Sequence, residues 1–402
     1  AAVVAPGVQN ALTHGKGLRH WLVGLQFSIA IALSISSLVV FRQIRFLDEH
    51  PLGYNPKGLL VLEYMDWGNA GSFFQQEIKK LPGVTATAIT SWRPGSSGAG
   101  SSGLWQDPKN PSIKIPIQEI LSDAGFAQLI GLHLVRGRLL YDNLPGDAPN
   151  YDSLMQTNMS ELDKIQSVEP CLVTQATALR LGITELGHPF PGIGTPVGIV
   201  SDFNIATLKS PMDLCVIYAK SKSVYGALLV RIAADNPQTT AGNIAGKFAS
   251  LYPAQPFNGR WATDMLAAQY DNERRLLTIF GIFAGLTVFL ACLGLFGLVV
   301  LMLQARLKEI GIRKVLGAST AGIARMLAWG FLRLVVIAGL FAIPAIWYCL
   351  SQWLDNYAYR IDIKMWMVTT PFILVLGAAL LTIFIKTIRT SFLNPADVLR
   401  EE

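Results

Sequence analysis

Four stretches of this chain are long, apolar and almost free of charge: Trp21–Phe41, Leu276–Leu303, Met326–Trp353 and Trp366–Ile385. A helix crossing a bilayer needs about 20 predominantly apolar residues, and each stretch reaches that length. Buried helices of globular domains are shorter and keep a polar stripe, so the pattern predicts membrane spans. The one charge among them, Arg333, sits near an end of its stretch, where a long side chain can reach the interface. With only 15% charged residues, against about 25% in a soluble domain, the composition argues against a cytosolic, disordered or nucleic-acid-binding chain. Its net charge of +6 is spread over loop ends, without the basic cluster and interleaved aromatics of a nucleic-acid surface.

Residues 42–275 have a different texture, with most of the 21 prolines and short β-branched runs. Gly58–Glu63, Val84–Ile89, Ile113–Ile117, Pro196–Val200 and Ala227–Ile232 read as strands. Ser72–Leu81, Thr174–Leu181 and Thr239–Leu251 read as helices that stop at Pro82, Gly182 and Pro253. The expected fold is therefore an α-helical four-span transmembrane bundle with a large α+β extracytoplasmic domain inserted between spans 1 and 2.

Basic residues set the expected topology. The connection 304–325 carries Arg306, Lys308, Arg313, Lys314 and Arg325 against Glu309 alone, and short loops with that excess stay in the cytoplasm. The expected order is a cytoplasmic segment 1–20, span 21–41, outer domain 42–275, span 276–303, cytoplasmic elbow 304–325, span 326–353, outer loop 354–365, span 366–385 and cytoplasmic tail 386–402. Arg42, Arg45, Arg274 and Arg275 fall on the outer side, but long translocated domains largely escape the charge rule.

Chemistry-bearing patterns are sparse. The spans contain no Asp, Glu, Lys or His, the groups that would bind a coupling ion. Gly242–Phe248 has three residues rather than four between its glycines and Phe where a P-loop needs Ser or Thr, and reads as amphipathic helix. Gly95–Gly103 gives no Gly-x-Ser-x-Gly register and reads as a flexible exposed loop. The five histidines show no ligand spacing. Asp142, Asp147 and Asp152 read as an acidic surface turn that also allows Ca²⁺. Of the cysteines, Cys292 and Cys349 lie in spans, while Cys171 and Cys215 share the outer domain, where a disulfide is permitted. No metal site, catalytic residue or cofactor is expected in this chain. Gly281 with Gly285, and Gly294 with Gly297, would let the second span pack closely on a neighbouring helix.

Ala305–Ser319 combines a short basic helix, a Gly317 suited to end it and a Ser319 suited to cap the next. Its apolar Leu307, Ile310, Ile312, Val315 and Leu316 suit a partner groove, and the same helix could lie on anionic lipid. Within it, Glu309-Ile310-Gly311-Ile312-Arg313-Lys314-Val315-Leu316-Gly317-Ala318 resembles the signature of permease subunits of MacB/FtsX-type (type VII) ABC transporters. Glu273-Arg-Arg, Leu293-Gly-Leu-Phe-Gly-Leu298, Tyr357-Ala-Tyr-Arg-Ile361 and Asn394–Arg400 look like the same family. Val197–Asn204 followed by Leu208–Pro211 is similar to a motif of variants common in Bacteroidetes.

The resemblance implies that residues 306, 308–317 contact a dimeric cytoplasmic ABC ATPase, which would hold ATP and Mg. It also implies an inner-membrane location, termini in the cytoplasm and a periplasmic domain on stalk-like helices moved by the ATPases. A helix over 276–303 is about 42 Å long against a ~30 Å hydrocarbon core, which leaves length for such a stalk. The expected function is export or extraction of a peptide, antibiotic or lipoprotein by mechanotransmission; the alternative is a signalling relay acting on a periplasmic partner such as a cell-wall hydrolase. Expected partners are the ATPase, a second permease half or copy, membrane lipid, and a periplasmic adaptor or lipoprotein. Pro6–Leu12 echoes Pro395–Leu399, so the chain reads as the C-terminal half of an eight-span duplication, with a four-span homodimer subunit as the alternative.

Overall fold

A computed structural model describes residues 6–66, 68–96, 98, 101–107, 110–144, 146–149, 165, 167–220, 225–305 and 320–391. The chain forms two compact units, one of Ala1–Leu47 with Asn272–Glu402 and one of Asp48–Asp271.

The first unit holds the four long helices: α1 (Pro6–Glu49), α7 (Asp271–Ala305), α8 (Thr320–Leu354) and α9 (Met365–Ser391). All four are long and apolar enough to cross a membrane, with mean hydropathy of 2.0, 2.8, 2.2 and 2.3 over their apolar windows. Their shared core comes from ladders at the four-residue spacing that keeps one helix face inward. Phe27, Ile31, Ile35 and Val39 of α1 meet Ala291, Leu295, Val299 and Leu303 of α7 in one buried cluster. Phe331 and Val335 of α8 and Val375, Ala379 and Ile383 of α9 complete it. The protein is a multi-pass membrane protein with a mixed α+β domain between its first and second spans.

That domain is built on a ten-stranded sheet. Its strands are β1 (Leu59–Asp66), β2 (Val84–Thr90), β3 (Ser101–Asp107), β4 (Asn110–Ser122), β5 (Leu134–Gly137), β6 (Pro170–Thr174), β7 (Thr195–Val200), β8 (Cys215–Ala219), β9 (Tyr225–Ile232) and β10 (Gly259–Trp261). The order is β10-β1-β9-β2-β4-β8-β6-β7-β5, with β3 pairing β4; β4–β8 and β6–β7 run parallel. Helices α2 (Gly68–Lys79), α3 (Phe126–Ile130), α4 (Gln175–Leu181), α5 (Pro237–Leu251) and α6 (Ala262–Ala268) cover its faces.

Alternation along the strands divides the core by face. Leu59 and Val61 point to a cluster with Phe126, Leu172, Ile217 and Leu229, which lies under both halves of the sheet. Leu60 and Leu62 point the other way, to Phe74 and Ile78 of α2 and Ile244 and Phe248 of α5. On that second face, α4 covers a separate cluster with Cys171, Val173 and Val216. The two halves meet where β2 and β4 come together at Thr90 and Ser122, with the Ser91 N–H donating to the Leu121 carbonyl and the Asp123 N–H to the Ile89 carbonyl.

The five strands and three helices read from the sequence are all present. The glycine- and serine-rich stretch is not wholly a loop. Ser101, Ser102 and Gly103 begin β3 and pair with Glu119, Gln118 and Ile117, so partners in β4 overrule weak local propensity.

Candidate functional site

Among the described residues, the end of the bundle where α1 leaves for the α+β domain and α7 returns carries a set of buried polar contacts. Gln43, fully buried on α1, reaches the loop between α8 and α9. Its Nε2 donates to the Tyr359 carbonyl at 2.9 Å, and its Oε1 accepts the Ile361 N–H at 3.0 Å. From α7, buried Glu273 accepts the Tyr357 hydroxyl at 3.0 Å. The Tyr357 ring packs on Trp353, 5.0 Å between centroids, and Arg360 pairs with Asp355. Arg42 lays its guanidinium over Trp366, 5.4 Å from the ring centre. The loop is thus tied to α1 and to α7 by charged or bidentate bonds in a dry setting, where such bonds hold geometry most firmly. Two of the sequence motifs, Glu273-Arg-Arg and Tyr357–Ile361, meet here. In the sequence Gln43 is marked only as an amide two residues past an apolar stretch.

The elbow residues Arg306, Lys308, Glu309, Ile310, Gly311, Ile312, Arg313, Lys314, Val315, Leu316 and Gly317 lie outside the described residues, between the end of α7 and the start of α8. Of the candidate packing glycines, Gly294 faces α1: a Cβ there would come 3.2 Å from Val23 Cγ2 and 2.9 Å from Gln26 Oε1. Gly281 lies beside Ser37, whereas Gly285 and Gly297 meet nothing within 4 Å among the described residues. A closer approach occurs at Gly339, where a Cβ would come 2.5 Å from the Phe372 ring, joining α8 to α9.

In the α+β unit, Cys171 and Cys215 are both free and buried. They sit on neighbouring strands but belong to clusters on opposite faces of the sheet, so the permitted disulfide is not formed. Asp147 is no solvated turn residue: Arg138 grips its two oxygens at 2.5 and 2.9 Å and its side chain is 1% exposed. Asp142 is exposed and Asp152 lies outside the described residues. No group of three or more His, Cys, Asp or Glu able to hold a metal occurs among the described residues. The Gly242–Phe248 stretch forms part of α5, with Phe248 buried and Lys247 paired to Glu77 at 2.7 Å.

The 197–211 motif does structural work. Asp202 accepts the Ala176 N–H at 2.7 Å and so satisfies the first turn of α4. Phe203 stacks edge-on against Tyr54 and Trp92, and the Asn204 N–H donates to Leu52. Gly53 must be glycine here, because at φ 80° any Cβ would fall 2.3 Å from the Asp202 carbonyl.

Asp123, at the seam between the half-sheets, accepts the Ile89 N–H at 2.9 Å and Gln75 Nε2 at 2.6 Å. Burial outweighs these bonds and pushes its carboxyl from 3.8 up to about 6. Folding therefore favours the protonated form. That stability is fully present below about pH 4 and is lost as pH rises through about 6. At 1.36 kcal/mol per pKa unit the loss is about 3 kcal/mol. Asp123→Asn is expected to match the parent near pH 4 and exceed it by up to about 3 kcal/mol near pH 8. Denaturant midpoints of the full chain at both values check this, and equal midpoints for the two proteins at pH 8 would contradict it.

Residues 281–395 match the FtsX-like permease C-terminal family. This stretch, from within α7 through α9, is similar to the C-terminal part of FtsX-like permeases. That match supports the MacB/FtsX-type resemblance read from the elbow and its flanking motifs. Permeases of this family are generally non-catalytic and work with an ATPase. No curated protein matches the chain. Among solved structures, the chain is similar to the periplasmic region of MacB from Actinobacillus actinomycetemcomitans, at 15% identity and a TM-score of 0.35, over 57% of this chain and 98% of that one. It is also similar to a domain of a putative permease protein from Porphyromonas gingivalis, at 15% identity and a TM-score of 0.29, over 49% of this chain and 85% of that one. A third similarity is to the extracellular domain of the noncanonic ABC-type transporter YknZ from Gram-positive bacteria, at 10% identity and a TM-score of 0.30, over 50% and 98%.

Proposed function

We propose that this permease turns the motion of a cytoplasmic ABC ATPase dimer into movement of its α+β domain on the periplasmic side of the inner membrane. That movement drives export or extraction of a peptide, antibiotic or lipoprotein outside the membrane core. The observation that carries the reading is the family match over residues 281–395, a stretch that contains the whole elbow sequence. In this reading Arg306, Lys308, Arg313 and Lys314, with the apolar Ile310, Ile312, Val315 and Leu316, dock on the ATPase, which binds ATP and Mg. The basic excess of 304–325 supports cytoplasmic termini, and a second permease half or copy completes the assembly.

Two features support mechanical rather than ion-coupled work. The apolar stretches 21–41, 276–303, 326–353 and 366–385 hold no side-chain carboxylate, lysine or histidine with which to bind and release an ion. The Gln43 and Glu273 bonds give α1 and α7 a dry, directional link to the α8–α9 loop, so displacement of α8 and α9 is passed to the helices that flank the inserted domain.

Reversing charge with Arg313→Glu and Lys314→Glu together is expected to lower co-purification of the ATPase at least about tenfold, because opposed like charges cost several kcal/mol. Membrane insertion, read by fractionation, should be unchanged. Undiminished co-purification would overturn the elbow contact.

A further inference from the structure

Within the membrane unit, α1, α7 and α9 line an open groove of about 430 Å³. Its walls are apolar, from Leu38, Phe41, Leu277 and Leu374, and three hydroxyls project among them: Ser34, Ser37 and Thr370. Those hydroxyls differ from others in the same helices. Ser28, Ser36, Thr287 and Thr382 each close back on the carbonyl four residues earlier, at 3.0, 2.8, 2.7 and 2.9 Å, as hydroxyls in apolar helices do. Ser34, Ser37 and Thr370 make no hydrogen bond among the described residues and keep their donors for something else. A polar group left unpaired at membrane depth is costly, so an acceptor belongs there.

The mouth of the groove indicates which acceptor. Arg42 follows Leu38 by one turn on α1, and Trp366 precedes Thr370 by one turn on α9, so both stand just above the groove on its own faces. Arg42 lies on the Trp366 ring and makes no ion pair or hydrogen bond among the described residues, which leaves the edge of its guanidinium for an anion. Tryptophan and arginine mark the headgroup level of a bilayer. At 1.5 Å per residue, Ser37 and Thr370 lie about 6–8 Å below that level, the depth of the ester carbonyls of a glycerolipid. The nearby acid on α7, Glu273, is buried against Tyr357.

We propose that one anionic glycerophospholipid occupies this groove. The Ser37 and Thr370 hydroxyls donate to its two ester carbonyls, an acyl chain lies past Ser34 along Leu38, Leu277 and Leu374, and Arg42 takes the phosphate. The bound lipid fills the gap between α1 and α9 and satisfies the Ser37 and Thr370 hydroxyls.

The test uses the purified full chain in nanodiscs of phosphatidylcholine and phosphatidylglycerol, followed by native mass spectrometry after release into detergent. The parent is expected to retain one phosphatidylglycerol per chain, enriched over its share of the bilayer. Ser37→Leu, which fills the groove, should lower retention about tenfold, and the Ser37→Ala/Thr370→Val pair, too conservative to disturb folding, should lower it severalfold. Arg42→Gln should bring the ratio of retained lipids to that of the bilayer while retention persists. Retention at the parental level in the Ser37→Ala/Thr370→Val pair, a parent that holds no lipid, or an acylated peptide in place of phospholipid would each overturn the proposal.

Discussion

Lys220→Met is expected to cost the α+β domain about 3–5 kcal/mol, because it strips the partner from a buried charge. Lys220 closes β8, and its ammonium pairs with the Glu169 carboxylate just before β6. Both residues are only 4% exposed. Burial pushes the Glu169 carboxyl up even beside the lysine, which shows how dry the pair is. The Lys220 ammonium also lies 5.8 Å from the centre of the Tyr218 ring, on the face that α4 covers. Removing one partner leaves a carboxylate that must either stay charged without water or take up a proton. The double change Lys220→Met/Glu169→Leu removes both charges and should fall within about 1 kcal/mol of the parent, or above it. Unfolding midpoints of the full chain in detergent measure all three proteins. A single variant no less stable than the double would refute the argument.

Trp92→Ala should be as damaging, at about 3–5 kcal/mol. Trp92 follows β2 at the seam of the half-sheets and is fully buried. Tyr54, Phe126 and Phe203 meet it edge-on, with centroids 5.2, 5.8 and 5.8 Å away, and each such pair adds about 0.5–1.5 kcal/mol beyond area. Its Nε1–H donates to the Ile205 carbonyl at 2.8 Å, which alanine would leave unpaired. Trp92→Phe separates the contributions: it keeps most of the packing, loses the donor and should cost about 1–3 kcal/mol. The same unfolding measurement reads both, and a Phe variant as weak as the Ala variant would show that packing is not the larger part.

The membrane helices were legible because a bilayer admits only long apolar runs, and such runs are local in sequence. The strands at 59–66, 84–90, 195–200 and 225–232 were legible for a similar reason, through β-branched composition. The short strand Pro170–Thr174, the strand Cys215–Ala219 and the edge strand Leu134–Gly137 escaped, since four or five residues carry too little pattern to separate strand from loop. Asp147 reads as solvated from sequence because charge suggests solvent unless its partner is known, and Arg138 supplies that partner only in the folded chain.

For the candidate site the division is sharper. The elbow was readable as a contiguous motif, and so was the reason to expect the energy source outside the spans, since both follow from which side chains are present. The seating of Gln43 on Tyr359 and Ile361, the meeting of Glu273 with Tyr357 and the three unpaired hydroxyls beneath Arg42 and Trp366 were not readable. Each joins residues tens to hundreds of positions apart. Composition and periodicity select helices and strands through near-neighbour sterics and solvation, whereas pairings across helices depend on packing that no local segment encodes.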